Sequence, residues 1–182
     1  MAAAAHEDVL TKISTDAATD FVQSFYLALQ TARGTIASFY SPTPAKILFN
    51  GNIVQDGSAV QEIFVNQMPA AHYEVQSFDC QVLNQNYPPQ GSGANNNNPD
   101  AAAVPPQGPS TKGGEAAAMK NMSILVLVSG NVRYGESRDL PHRGFSESVV
   151  LAPNPAVEQG VRRAGRGKKD WLIQSQNFRL VV

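Results

Sequence analysis

From Ser123 to Val182 the chain reads strand, strand, strand, with a polar turn and one loop between them and no helical pattern. The first segment, Ser123-Ile-Leu-Val-Leu-Val-Ser129, continues through Arg133-Tyr134. Phe145 to Leu151 forms the second and Asp170 to Val182 the third. Adjacent parallel strands need crossover connections, usually helices, so a doubly wound parallel sheet is excluded. The helical patterns all come earlier. Helices first and strands last predict an α+β chain, with N-terminal helices packed on one face of a curved, mainly antiparallel sheet.

The first helix is predicted over residues 15–33, where Phe21, Phe25 and Leu29 recur at four-residue spacing and Val22 and Tyr26 widen the stripe. Gly34 is the expected C-cap. Thr35 then caps a short second helix carrying Ile36, Phe39 and Tyr40, closed by Pro42 and Pro44. Lys46–Asn50 is a short strand, Gly51-Asn52 a tight turn, and Ile53-Val54 the return. Ser58 is expected to cap a third helix whose apolar face is Val60, Ile63, Phe64 and Met68. Tyr73 to Leu83 alternates loosely as a strand.

Residues 85–118 are different in kind. They hold six of the twelve prolines, five of the fourteen glycines and the run Asn95-Asn-Asn-Asn98. Too little apolar surface is present to offset the entropy of ordering such a segment, so it is expected to be a disordered insertion. The domain organisation that follows is a flexible N-terminus at 1–14 and one domain over 15–182, interrupted at 85–118. A single cysteine, Cys80, favours a reducing compartment, and neither a secretory leader nor a membrane-length apolar run is apparent.

The formal net charge of −1 hides an asymmetry. Residues 1–100 carry 3 basic and 9 acidic side chains, and residues 101–182 carry 11 and 6. Five of the basic residues fall in Val161-Arg-Arg-Ala-Gly-Arg-Gly-Lys-Lys169. Arg162, Arg163, Arg166, Lys168 and Lys169 are therefore candidates for RNA or phosphate contact. Such binding would be sequence-blind and salt-sensitive, because no aromatic side chain is interleaved for base stacking. A solvated hairpin loop is the plainer reading of the same run.

Catalytic signals are sparse. The candidate acids and bases are His72, Asp79 and Glu147, the last flanked by Phe145 and Val149 on its own strand face. Burial there would raise the Glu147 pKa in the manner of a general acid, but no partner stands at a fixed spacing. His72 and Cys80 lie eight residues apart on one presumed strand, so they should point the same way at about 25 Å, too far for a dyad. No metal-ligand spacing or phosphate-binding glycine loop occurs. No catalytic residue, cofactor or metal is expected.

Several short runs, in order, resemble a known family. These are Phe21-Val-Gln-Ser-Phe-Tyr26; Arg33, Ile36 and Phe39-Tyr40; Phe49-Asn50-Gly51 with Gly57; Asp79-Cys80-Gln81; Gly130-Asn-Val132-Arg133-Tyr134, read as a turn; Phe145-x-Glu147-x-Val149-Val150-Leu151; and Trp171 with Phe178-Arg179-Leu180. Together the chain resembles nuclear transport factor 2-like domains, in particular the small subunit of the nuclear mRNA export receptor. Glu147 stands where the family usually has Gln, and the 85–118 insertion is like the long loop of fungal small subunits. The acidic positions that grip the GTPase Ran have no evident match.

The resemblance implies a non-catalytic subunit of the nucleus and nuclear pore, shuttling to the cytoplasm and exporting mRNA or pre-ribosomes. Its partners would be the related domain of the large subunit, Phe-Gly repeat nucleoporins, and RNA through the basic loop; no membrane is involved. Pairing would use the outer sheet face. With Phe178, Leu180 and Leu172 toward the helices, alternation sends Ser175, Asn177 and Arg179 to the partner. With Phe145, Glu147 and Val149 inward, Ser146, Ser148 and Val150 join them. The rival readings are a dehydratase or isomerase using Asp79 or Glu147 inside the cone, and a homodimeric Ran import factor.

Overall fold

A computed structural model of the chain describes residues 2–85, 87, 122–158 and 169–181. Most of the 85–118 segment, and Arg162, Arg163, Arg166 and Lys168, lie outside the described residues.

Helix α1 spans Ala2–Thr31. Leu10, Ile13, Ala17, Phe21 and Phe25 follow one another at three- and four-residue steps and are all buried, each worth roughly 1–3 kcal/mol of transfer free energy according to size. The expected start at residue 15 is thus corrected. The stripe already begins at Leu10 and Ile13, and the segment expected as a flexible lead-in is helical. From α1 the chain passes directly into a 3₁₀ helix, Arg33–Phe39, so Gly34 lies inside an element and does not end one. Thr35 does not cap it either: its hydroxyl donates back to the Ala32 carbonyl at 2.8 Å. Arg33 ties the helical layer together by donating to the carbonyls of Leu29, Phe64, Met68 and Pro69.

Strands β1 (Lys46–Phe49) and β2 (Asn52–Val54) form a hairpin. Its turn is Asn50-Gly51, at φ 50 and φ 86, one residue earlier than expected, because a two-residue type I′ turn needs positive φ at both positions. Helix α2 (Gly57–Glu62) is capped by Asp56, whose carboxylate accepts from the Ala59 amide at 2.8 Å, where Ser58 was expected. A π-helical turn over Ile63–Gln67 follows.

The remaining elements are β3 (Ala71–Asn84), β4 (Ser123–Tyr134), β5 (Arg143–Pro153), the short α3 (Pro155–Glu158) and β6 (Trp171–Leu180). They complete a six-stranded sheet of order β2-β1-β6-β5-β4-β3, antiparallel except where β1 runs parallel to β6. The helices cover one face, and the core between them is one continuous apolar cluster. Gly130–Tyr134, a turn by the family resemblance but strand by the apolar pattern, is the end of β4 and stays paired with β3, as the strand pattern predicts.

Two of the three register shifts among the described residues bear on the expected faces. Between Val75 and Ser77 the β3 register shifts against β4, so His72, paired with Arg133, and Cys80, paired with buried Val126, sit on opposite faces of the sheet. The expectation that they point the same way fails for that reason. A second shift falls between Val150 and Leu151. It places Ile173 opposite Leu151 in the core and Leu172 opposite Ala152, so Leu172 faces away from the helices, contrary to expectation.

Candidate interaction face and buried carboxylate

On the face away from the helices, one row of side chains crosses all six strands: Ile53, Leu48, Asn177, Ser148, Leu127 and Asp79. The adjacent cross-strand pairs are Ser146 with Arg179 and Val150 with Ser175. The bulge in β6 precedes Ser175, so the alternation read from sequence holds for Ser175, Asn177 and Arg179. All six expected positions share this face. Ser146, Ser148, Asn177 and Arg179 line a shallow concavity of about 350 Å³ together with Asp79, Leu127 and Ser129. Leu127 is 48% exposed and Ile53 76% exposed.

Sequence reasoning missed Leu125, Leu127, Leu48 and Ile53 as members of this face. The signal was present in β4, where Ile124 to Val128 is apolar without interruption. Such a run means that both faces of a strand are apolar.

Glu147 is on the opposite, helix-covered face, paired between Val128 and Phe178 and 3% exposed. Three elements build its surroundings. Tyr26 of α1 donates its hydroxyl to Glu147 Oε2. Gln176 of β6 donates Nε2 to Oε1 at 2.5 Å. Tyr40, just past the 3₁₀ helix, donates its hydroxyl to Gln176 Oε1 at 2.5 Å. The donors all run toward the carboxylate, which orients the chain of bonds. Burial pushes the Glu147 carboxyl above the usual carboxylate range, and the bonds from Tyr26 and Gln176 pull it partly back. Burial, reinforced by the nearby Glu147 charge, holds the Tyr26 and Tyr40 phenols well above their ordinary values, so both stay protonated donors.

The raised value has a sign for stability. Between the ordinary carboxylate value and the raised one, the folded protein binds the proton that the unfolded chain has released, so stability falls as pH rises through that window. Glu147→Gln removes this dependence. The melting-temperature difference, variant minus parent, should become more positive as pH rises above the ordinary carboxylate range; a pH-independent difference would refute the assignment.

Asp79 is exposed on the outer face, its carboxylate accepting from the Cys80 amide at 2.8 Å. Asp79 and Glu147 thus lie on opposite sides of the sheet and cannot act on one substrate in the cone. Among the described residues, no group of three His, Cys, Asp or Glu side chains could hold a metal ion, and no helix is long and apolar enough to cross a membrane. Of the five basic candidates only Lys169 is described. Its ammonium lies 3.6 Å from the Phe39 ring centroid and donates to the Ser38 hydroxyl, and burial lowers its pKa.

No protein-family model and no curated protein matches the chain. Solved structures do. A chain of Mex67:Mtr2 with a bound Sac3N peptide aligns at TM-score 0.65 and 22% identity, covering 92% of this chain and 99% of that one. The complex of the Chaetomium thermophilum Mex67 NTF2-like domain with Mtr2 gives 0.65 and 22%, over 92% and 98%. Nuclear transport factor 2 from Cryptosporidium parvum gives 0.55 and 19%, over 92% and 94%. The fold is that of nuclear transport factor 2. In this nuclear transport factor 2-like fold the helices cover one face of the sheet. Tyr26, Glu147, Gln176 and Tyr40 fill the interior, and the outer sheet face carries the Arg179 and Leu127 row.

Proposed function

We propose that this chain is a non-catalytic, Mtr2-type subunit that pairs through its outer sheet face with the NTF2-like domain of a Mex67-type large subunit and serves mRNA export. The observation that carries the reading is that face: a row six strands wide, with exposed Leu127 and Ile53 among small polar residues and Arg179 at its side. A face of this width that mixes exposed apolar with small polar side chains is suited to burial in a partner. The likeness to chains of Mex67:Mtr2 assemblies, at low identity, agrees with it. On this reading the interface is formed by Ser146, Ser148, Val150, Ser175, Asn177 and Arg179, extended by Leu127 and Leu48. Phe-Gly nucleoporins would be bound by the assembled receptor, and Arg162, Arg163, Arg166 and Lys168 would contact RNA. The protein would act at the nuclear pore.

Arg179 and Leu127 are exposed in the isolated chain, so their replacement leaves the fold intact. Arg179→Glu should weaken the heterodimer by about 2–5 kcal/mol, the loss seen when one member of a desolvated charge pair is removed. Leu127→Asp should weaken it by about tenfold or more. Unchanged affinity in both variants, measured by titration calorimetry against the partner domain, would show that pairing uses another surface.

A further inference from the structure

On the helix side of the sheet, remote from Arg179 and Leu127, a cavity of about 360 Å³ opens between α1 and the start of β6. Its floor is aromatic and apolar, made by Phe21, Phe39 and Trp171. Its rim carries Asp16 and Asp20, one turn apart on α1, and Asp170 just before β6. All three are exposed, and among the described residues none of their side chains is held by an ion pair or hydrogen bond.

One cation already sits against this wall. Lys169 lies 3.6 Å from the Phe39 ring centroid, which shows that the aromatic surface accepts an ammonium group. Among the described residues the lining holds two basic side chains, Lys12 and Lys169, against three carboxylates, so acidic groups outnumber basic ones there. The volume is at the small end of the about 300–1,000 Å³ usual for ligand sites, the size for a side chain and not for a whole cofactor.

We propose that this cavity docks an arginine or lysine side chain presented by an extended basic segment of a partner protein. With Phe39 already facing Lys169, Phe21 and Trp171 receive the aliphatic stem and the face of the cation, and Asp16, Asp20 and Asp170 receive its charge. Because the cavity and the sheet face are on opposite sides of the molecule, its occupation does not depend on the heterodimer forming.

Trp171 is the chain's single tryptophan, so its fluorescence reports on the cavity directly. The full chain is titrated with the capped peptide Ac-Gly-Leu-Arg-Leu-Gly-amide and with the same peptide carrying citrulline, the uncharged isostere of arginine. The arginine peptide should give a saturable change in Trp171 emission, and the citrulline peptide should bind at least about tenfold more weakly. The double variant Asp16→Asn, Asp20→Asn should lose about tenfold in affinity for the arginine peptide at an unchanged melting temperature. Equal binding of the two peptides, no saturable binding, or full affinity in the double variant would overturn the proposal. Binding that emerges only after Arg162, Arg163 and Arg166 are changed to serine would assign the cavity to the chain's own basic segment, and would overturn it equally.

Discussion

Gly130→Ala is expected to cost about 3 kcal/mol or more, beyond the usual loss for one added methyl group. A Cβ built at Gly130 would stand 2.1 Å from the Glu74 carbonyl oxygen and 3.0 Å from both Val75 Cα and a Phe145 ring carbon. Two of these three atoms are backbone, so no rotamer change relieves the clash. Gly130 pairs with Val75 beside the register shift in β3, where the neighbouring backbone comes too close for any side chain. For a chain of this size, 1 kcal/mol corresponds to about 2–4 °C, so the melting temperature should fall by about 6–12 °C. A loss below about 1 kcal/mol would mean that β3 moves away freely, and that the bulge is not fixed by this contact.

Tyr26→Phe should be the costliest change that removes a single atom. The ring stays in place against Phe25, Tyr73 and Phe145, so no cavity opens. What is lost is the hydroxyl donor to the buried Glu147 carboxylate. A hydrogen bond to a charged buried group is worth about 1.5–3 kcal/mol, and that is the expected loss where Glu147 is ionised. The sign with pH follows from the same bond. It favours the ionised carboxylate and so lowers the folded-state value, and its removal lets that value rise further. The deficit should therefore be full when Glu147 is ionised in both proteins and should shrink as pH falls and the carboxyl protonates. Thermal melts of both proteins across the acid range measure it, and a deficit that grew toward low pH would contradict the network.

Much of this architecture was legible in the residues. The four-residue spacing of Phe21, Phe25 and Leu29 marked α1, and three uninterrupted β segments at the end of the chain marked an antiparallel sheet. Alternation also placed Glu147 inward and Arg179 outward. What could not be read were the positions where period-two counting breaks. The irregularities near Gln76 and Gln174 each reset the faces, and nothing in the local composition marks either one. They account for the misplacement of Leu172 and of the His72–Cys80 relation. Helix ends were misread for a local reason: Thr35 and Ser58 are good capping residues, but Ala32 occupies the first cap and Asp56 performs the second. The partners of Glu147 come from positions 26 and 176, far from it in the chain. The aromatic cavity likewise joins α1, the 3₁₀ helix and β6, so neither arrangement exists before the chain folds.

The proposed function requires that the outer sheet face be completed by a different, related domain. Co-expression of the full chain with a Mex67-type NTF2-like domain, followed by light scattering of the eluted species, tests it most directly. One-to-one heterodimers that persist on dilution, and that are lost with Arg179→Glu and Leu127→Asp, are the expected result. A stable homodimer that excludes the Mex67-type domain even when that domain is in excess would contradict it.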